Sequence, residues 1–359
     1  MDAMTQSSQQ DTKVLVTGGA GYIGSHTCVE LIRAGYGVVI YDNFSNSHRE
    51  VIDRIARIAG AAPIVVDGDV RDRETMATAL ARHLCGAVIH FAGLKSITQS
   101  VSEPARYYDN NVVGTLRLVQ AMEDAGVHRL VFSSSAAVYG DPVALPLTED
   151  HRLSPRTPYG RTKLVVETML ADLAAASNRF EIAILRYFNP AGSHDSGLIG
   201  EDPRGAAGNL APLVAQVAMG RRSHVTVFGD DYDTIDGTGV RDYVHVMDLA
   251  AGHICALRSL DRDRFLTVNL GTGRGTSVLE LIDAFAQASG ATIPVQVAPR
   301  RSGDVASNYA SADLAERVLG WRARRNLADI CRDAWNWQRR NPNGYAGPSE
   351  PVGGLEPRP

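Results

Sequence analysis

An α/β fold is predicted: a doubly wound parallel sheet with a smaller, partly discontinuous α/β domain. Three observations carry it. Six short runs rich in Val, Ile and Leu alternate with stretches of helical periodicity through the first half of the chain. A glycine-rich turn joins the first run to the first helical stretch. After Asn189 the alternation gives way to a long irregular segment, and a further strand-like run follows it. Strands that are apolar throughout, rather than alternating, are buried on both faces, as in a parallel sheet covered by helices. The β-α-β order is the doubly wound pattern.

The predicted strands, in order, are 13–17 (KVLVT), 37–41 (GVVIY), 63–66 (PIVV), 87–91 (AVIHF), 129–132 (RLVF) and 181–186 (EIAILR). Between them, 23–33 and 114–125 carry apolar residues three and four apart, the spacing of one buried helix face. The segment 193–208 is dense in Gly, Asp, Pro and Asn and reads as a long loop, a type often functional in compact domains. The run 265–270 (FLTVNL) is expected to return to the main sheet, followed by a loop at 271–276 and a helix from about Ser277. Helical spacing resumes at 312–319 and 327–339. The polar start, 1–11, reads as a disordered leader and the Pro/Gly-rich end, 346–359, as a disordered tail. The expected division is a cofactor domain at 12–188, completed by the strand 265–270, and a mainly substrate-binding domain at 189–345.

Composition sets limits. The 359 residues carry 36 Lys+Arg against 40 Asp+Glu, a formal net charge of -4, with 44% hydrophobic residues. That is too apolar and too weakly charged for a disordered chain, and it argues against nucleic-acid binding by bulk charge. Cys28, Cys85, Cys255 and Cys331 lie far apart with no CxxC pair, so neither a disulfide framework nor a metal site is expected. No apolar run approaches the ~20 residues of a membrane span. These features point to the cytoplasm.

The first strand runs into Thr17-Gly18-Gly19-Ala20-Gly21-Tyr22-Ile23-Gly24 and then a helix. Gly18, Gly21 and Gly24 are spaced so that the backbone can turn tightly and approach a pyrophosphate, which then meets the positive end of the helix. The next strand ends at Asp42, about 20 residues on, where a carboxylate can hold both ribose hydroxyls. It would repel a 2′-phosphate, so NAD is favoured over NADP and the sheet is of Rossmann type. Asp69 follows the third strand, placed for the adenine. Phe91-Ala92-Gly93 follows the fourth, with Gly93 letting the chain pass close to the cofactor.

A proton-handling group follows. The fifth strand leads into Ser133-Ser134-Ser135, and Tyr159-Gly160-Arg161-Thr162-Lys163 opens a helix after Pro158. Tyr159 and Lys163, four apart, share a helical face. A phenol near pKa ~10 is a poor base at neutral pH, and a neighbouring ammonium and a positive nicotinamide ring are expected to lower that value. With a serine hydroxyl beside it, such a phenol suits moving a proton on or off a carbinol oxygen while hydride moves to or from the cofactor.

Ordered motifs run from Val14 to Tyr345: VTGGAGYIGSHT, HFAGLKS, YYDNNVVGTLRL, SSSAAVYGD, YGRTK, LRYFNPAGSH, GEDPRG, FGDDYDTIDGTGVRDYVHVMDLA, NLGTG and APRRSGD. With them the chain resembles the extended short-chain dehydrogenase/reductase superfamily, and within it closely resembles the UDP-glucose 4-epimerase family. The resemblance implies that Tyr22, Ile23, Asp42, Asn43, Asn46, Ser47, Asp69, Val70, Phe91, Ala92, Gly93, Lys95, Asn110, Lys163 and Phe188 face a tightly held NAD. It implies that Ser135 and Tyr159 address the sugar. It places Asn189, Asn209, Leu210, Thr226, Val227, Phe228, Arg241, Arg301 and Asp304 around the UDP-sugar. Residue chemistry agrees: Arg241 and Arg301 offer forked donors for a diphosphate, and a strand edge at 226–228 can pair with uracil through its backbone.

Among neighbouring reactions, a 4,6-dehydratase needs an acid and a base after the active-site hydroxyl, where this chain has Ala136 and Ala137. A non-catalytic NAD-binding relative would commonly lack the Tyr or the Lys. The expected outcome is therefore reversible oxidation at C4, turning of a 4-keto sugar and return of the hydride to its other face, interconverting UDP-galactose and UDP-glucose. Two departures stand out. Ala137 occupies a position where the family usually has Thr. Asn308 stands where glucose/galactose-restricted members often carry a bulky Tyr, and smaller residues there go with acceptance of N-acetylated sugars. A homodimer through the helices after Pro104 and Pro158 is also implied.

Overall fold

The computed structural model describes residues 13–176, 178–204, 208–301 and 303–346. The expected leader, and the tail from residue 347, lie outside the described residues. The chain builds a seven-stranded parallel sheet in the order Phe265–Leu270, Glu181–Tyr187, Arg129–Ser135, Cys85–His90, Lys13–Thr17, Gly37–Asp42, Ile64–Asp67. The strand direction of build-up reverses between Lys13–Thr17 and Cys85–His90. In open α/β sheets this is where a crevice opens beyond the C-terminal strand ends.

Successive side chains of each strand feed opposite layers. Val14 and Val16 join one buried cluster with Cys28, Val29, Val51, Ile55, Leu249 and Leu257. Leu15, between them, joins the other with Met76, Leu118, Met122, Val166 and Leu170. Both faces are thus dry, which is why the strands read as unbroken apolar runs. The strand Phe265–Leu270 runs beside Glu181–Tyr187, bringing the chain back to the main sheet as its Leu and Val residues require. The helix Val246–Ser259 returns with it and packs on the helix Tyr22–Arg33.

A third cluster is separate. Val214, Val225, Val227, Tyr243, Leu281, Phe285, Ile293 and Ile330 gather between the helices Leu210–Ala218, Val278–Ser289 and Leu327–Arg340 and short strand pairs. Its ladders are Asn189–Ala191 with Tyr243–His245, and Val225–Phe228 with Val295–Ala298. A third small sheet sets Val240–Arg241 between Thr276–Ser277 and Ser307–Asn308.

One strand exceeds its sequence expectation in a way that matters. Arg129–Ser135 continues through three serines because its ladder with Glu181–Tyr187 needs only backbone: Ser133, Ser134 and Ser135 pair with Leu185, Arg186 and Tyr187. Ser135 therefore sits at a strand terminus, at the sheet edge where the crevice opens.

Candidate active site

The first strand ends in a turn with no room for side chains. A Cβ on Gly18 would stand 2.7 Å from the Ala92 backbone nitrogen, and its φ of +67° is a left-handed value that favours glycine. A Cβ on Gly24 would stand 2.3 Å from the Gly18 carbonyl oxygen. The helix Tyr22–Arg33 begins at Gly21, which supplies no side-chain cap. The leading N–H groups are left for an anion. The fourth strand locks onto this turn: Phe91 N–H and Ala92 N–H both donate to Thr17 O, at 3.0 and 3.1 Å.

His90 makes the same junction from its side chain. Thr115 Oγ1 donates to Asn111 O at 2.6 Å, so it must accept from His90 Nε2 at 2.9 Å. His90 Nδ1 is then the acceptor for Thr17 Oγ1 at 2.6 Å. Burial holds this ring neutral, its pKa down to about 3.

Asp42 ends the second strand, buried, with its carboxylate collecting three donors. Ala20 N–H reaches Oδ2 at 3.0 Å; Phe44 N–H and the Ser47 hydroxyl reach Oδ1 at 2.9 and 3.0 Å. Burial nevertheless raises its pKa. Asn43 and Asn46 are exposed beside it. Asn43 Nδ2 donates to Asp69 Oδ2 at 3.1 Å, and Arg71 holds Asp69 bidentately, well below the usual carboxylate range. Val70 packs in the core, as does Phe188. These features fit a dinucleotide: a cradle a Cβ would fill, an uncapped helix start, and a carboxylate at the next strand end.

The loop after the fourth strand is held from behind. Asn111 Oδ1 accepts from Leu94 N–H at 2.8 Å, and Asn111 Nδ2 donates to Leu94 O at 3.0 Å and Thr162 Oγ1 at 3.1 Å. Asn110 Nδ2 also donates to Asn111 Oδ1, at 3.0 Å. Both asparagines lie on a π-helical turn, Tyr108–Val113, a widened turn frequent at functional sites. Gly93 leaves ordinary space, with Asn111 Oδ1 3.4 Å and Lys163 Nζ 3.7 Å from where a Cβ would sit.

Ser135, Tyr159 and Lys163 converge here. Ser135 Oγ accepts from Ala137 N–H at 3.2 Å, and its hydroxyl lies near enough to the Tyr159 phenol to favour the phenolate. Lys163 Nζ donates to Ser133 O at 2.6 Å and lies 4.8 Å from the Phe132 ring centre. Burial lowers the lysine to about 8, with Glu167 opposing. Of the two causes expected to lower the Tyr159 phenol, the Lys163 ammonium is corrected: it exerts no resolved effect there. Burial raises the phenol above its ordinary value, and only the Ser135 hydroxyl works against it. The ammonium of Lys163 is spent on the Ser133 carbonyl.

On the other side of the crevice, Arg241 is the middle strand of the small sheet, in register with Asn308. Its guanidinium lies 4.0 Å from Asp304. Asn308 Oδ1 is buried without a hydrogen-bond partner among the described residues. Arg301 stacks over the Phe228 ring at 3.7 Å. Of the segment 226–228, Val227 is buried, while one strand edge is unused by the ladder to Val295–Ala298. Asn189 N–H donates to Asp242 O at 2.9 Å, just past Phe188. Asn209 and Leu210 open the helix Leu210–Ala218, and Asn209 does not cap it.

Sequence reasoning missed what Asn209 does instead. Its Nδ2 donates to Glu201 Oε1 at 2.7 Å, and Lys95 Nζ reaches the same oxygen at 2.9 Å. Glu201 thus joins a residue expected at the cofactor to one expected at the substrate. A lone carboxylate in a Gly/Asp/Pro loop carries no pattern that names such partners; only its place in GEDPRG marked it.

A family profile described as "NAD dependent epimerase/dehydratase family" matches residues 14–271. The UDP-glucose 4-epimerase of Bacillus subtilis is 52% identical over 333 residues, covering 92% of this chain and 98% of that protein. A solved UDP-glucose 4-epimerase of Stenotrophomonas maltophila, with bound NAD and formylated UDP-arabinopyranose, superposes with a TM-score of 0.90 at 56% identity. The match covers 91% of this chain and 98% of that one. The enzyme of Bifidobacterium longum in complex with NAD+ and UDP gives 0.90 at 49% identity, covering 93% and 100%.

Proposed function

The chain belongs to the NAD dependent epimerase/dehydratase family, and from that premise we propose that it interconverts UDP-galactose and UDP-glucose by reversible oxidation at C4. The observation that carries this is a Ser135 hydroxyl beside the Tyr159 phenol, with Lys163 on the same helix bound to the Ser133 carbonyl, and Ala136 and Ala137 next, where elimination would need an acid and a base.

NAD, when bound, accepts hydride from C4 and gives it back. Gly18, Gly21 and Gly24 would hold its diphosphate, Asp42 its ribose, and Phe91 to Gly93 its nicotinamide end. Arg241 and Arg301 bind the UDP diphosphate and keep the sugar tethered. Tyr159 removes the 4-hydroxyl proton as the C4–H bond breaks, leaving a 4-keto sugar. The ketone turns within the pocket, and Tyr159 returns the proton to its oxygen as hydride arrives on the opposite face. Ser135 hydrogen-bonds the same oxygen. Because the protein's own groups raise the phenol, its deprotonation falls to the cationic ring of the cofactor and to Lys163 once drawn off Ser133. Tyr159→Phe is expected to keep NAD and UDP-sugar binding and to lose about 10²–10⁴-fold in turnover; wild-type turnover would reassign the base.

Asn308, in register with Arg241 on the substrate side, supports a wider substrate range, because its short side chain leaves room that a tyrosine ring would fill. We include UDP-N-acetylglucosamine and UDP-N-acetylgalactosamine as substrates. Incubating the protein with either is expected to yield the other, and absence of conversion removes them.

A homodimer in the cytoplasm completes the proposal. Ile97, Val101, Val113, Leu116 and Val165 are exposed apolar residues on adjoining helical segments, a surface suited to a second copy. Four free cysteines accord with a reducing compartment. Sedimentation of the purified protein is expected to give twice the mass of 38.6 kDa, and Leu116→Glu to shift it toward one chain.

A further inference from the structure

One buried arginine reaches both segments that flank the catalytic group, the helix of Tyr159 and Lys163 through Glu167 and the turn after Ser135 through Tyr139. Arg186 Nη2 donates to Glu167 Oε2 at 2.7 Å and Nε to Glu167 Oε1 at 3.1 Å, with both side chains 6% exposed. Glu167 lies four residues beyond Lys163 and eight beyond Tyr159 on one helix, and it also accepts from the Ser134 hydroxyl. From its other end, Arg186 Nη1 donates to the Tyr139 hydroxyl and to Glu149 O, both at 3.0 Å. The Tyr139 hydroxyl in turn donates to Asn269 Oδ1 at 2.6 Å. Ser135 stands between Ser134 and Tyr139 in the chain. Both flanks of its turn are therefore tied to the ion pair that is also tied to the helix of Tyr159 and Lys163.

We propose that Arg186 and Glu167 are positioning residues that fix the turn bearing Ser135 against the helix bearing Tyr159 and Lys163, so that the two hydroxyls meet at one substrate oxygen. A buried ion pair is a weak source of stability compared with an apolar pair of the same volume. What it adds is direction. Hydrogen bonds to Ser134, Tyr139 and the Glu149 carbonyl set angles that methyl and methylene contacts leave free. This inference rests on the Ser135–Tyr159–Lys163 assignment made above.

The test uses the holoenzyme and reads turnover per mole of bound NAD, which removes any unfolded fraction from the comparison. Glu167→Met combined with Arg186→Met replaces the pair by apolar side chains of similar length. It is expected to retain NAD and an unchanged KM for UDP-galactose while kcat per bound NAD falls on the order of tenfold or more. Ser134→Ala removes one hydroxyl only, is the reading taken if the double variant does not fold, and is expected to lose severalfold with the same unchanged KM. Wild-type kcat per bound NAD in either folded variant overturns the proposal. Tyr159→Phe, measured alongside, separates the two readings: if it retains turnover the catalytic assignment has failed, and if only the positioning variants retain it the fault lies with the clamp.

Discussion

At the scale of single residues, the site is a set of charges and hydroxyls whose neighbours decide their state. Asp42 is the clearest case. Its carboxylate is buried and already accepts from Ala20, Phe44 and Ser47, so those three donors fix its orientation before any ribose arrives. Asp42→Ala is expected to weaken NAD retention through gel filtration and to narrow the preference over NADP, since the carboxylate no longer repels a 2′-phosphate. An unchanged cofactor preference would mean that another group discriminates. Glu201 is the second case. Glu201→Gln keeps the shape but removes the charge between Lys95 and Asn209; faster loss of NAD on dilution is the expected result, measured as NAD content against time. Equal retention would reduce Glu201 to a surface ion pair.

At the scale of elements, the glycine turn and the strand ends do the positioning. Gly24→Ala sets a methyl group 2.3 Å from the Gly18 carbonyl oxygen, inside a junction closed by the fourth strand. The backbone must move, so a loss of about 1–3 kcal/mol in chemical denaturation is expected, together with poor NAD content. Full stability would show that the turn has slack. This turn and the seven main strands were legible in the sequence, because strands buried on both faces leave unbroken apolar runs and a φ of +67° leaves a glycine. The end of Arg129–Ser135 was not: Ser133 to Ser135 are polar, and their ladder is a property of the neighbouring strand. Nor was the Glu201 bridge or the Arg186–Glu167 pair, since both join residues that only the folded chain brings together. The share of the Lys163 ammonium in the Tyr159 shift was misread for the same reason. Spacing put an ammonium near the phenol but could not show that it donates to Ser133 O.

At the scale of the whole molecule, three histidines report on the fold. His26, His90 and His253 are buried and held neutral, at about 3, 3 and 4, chiefly by loss of hydration. Unfolding returns each to about 6.5. Below that value the unfolded chain binds protons that the folded chain refuses, so stability is fully present above pH 6.5 and is lost as pH falls. The slope approaches ~4 kcal/mol per pH unit for three protons. Asp42, Glu149 and Asp242, raised by burial, act in the opposite sense at lower pH, so denaturant titrations between pH 6.5 and 5 give the cleanest reading. A flat profile there would mean that the rings are hydrated. The function itself is best judged on the intact protein supplied with UDP-galactose in D2O, with no added NAD, and followed by NMR. An epimerase working through Tyr159 and a retained cofactor yields UDP-glucose that still carries protium at C4, because the hydride leaves and returns without meeting solvent. A 4-keto-6-deoxy product, deuterium at C4, or no conversion would contradict it.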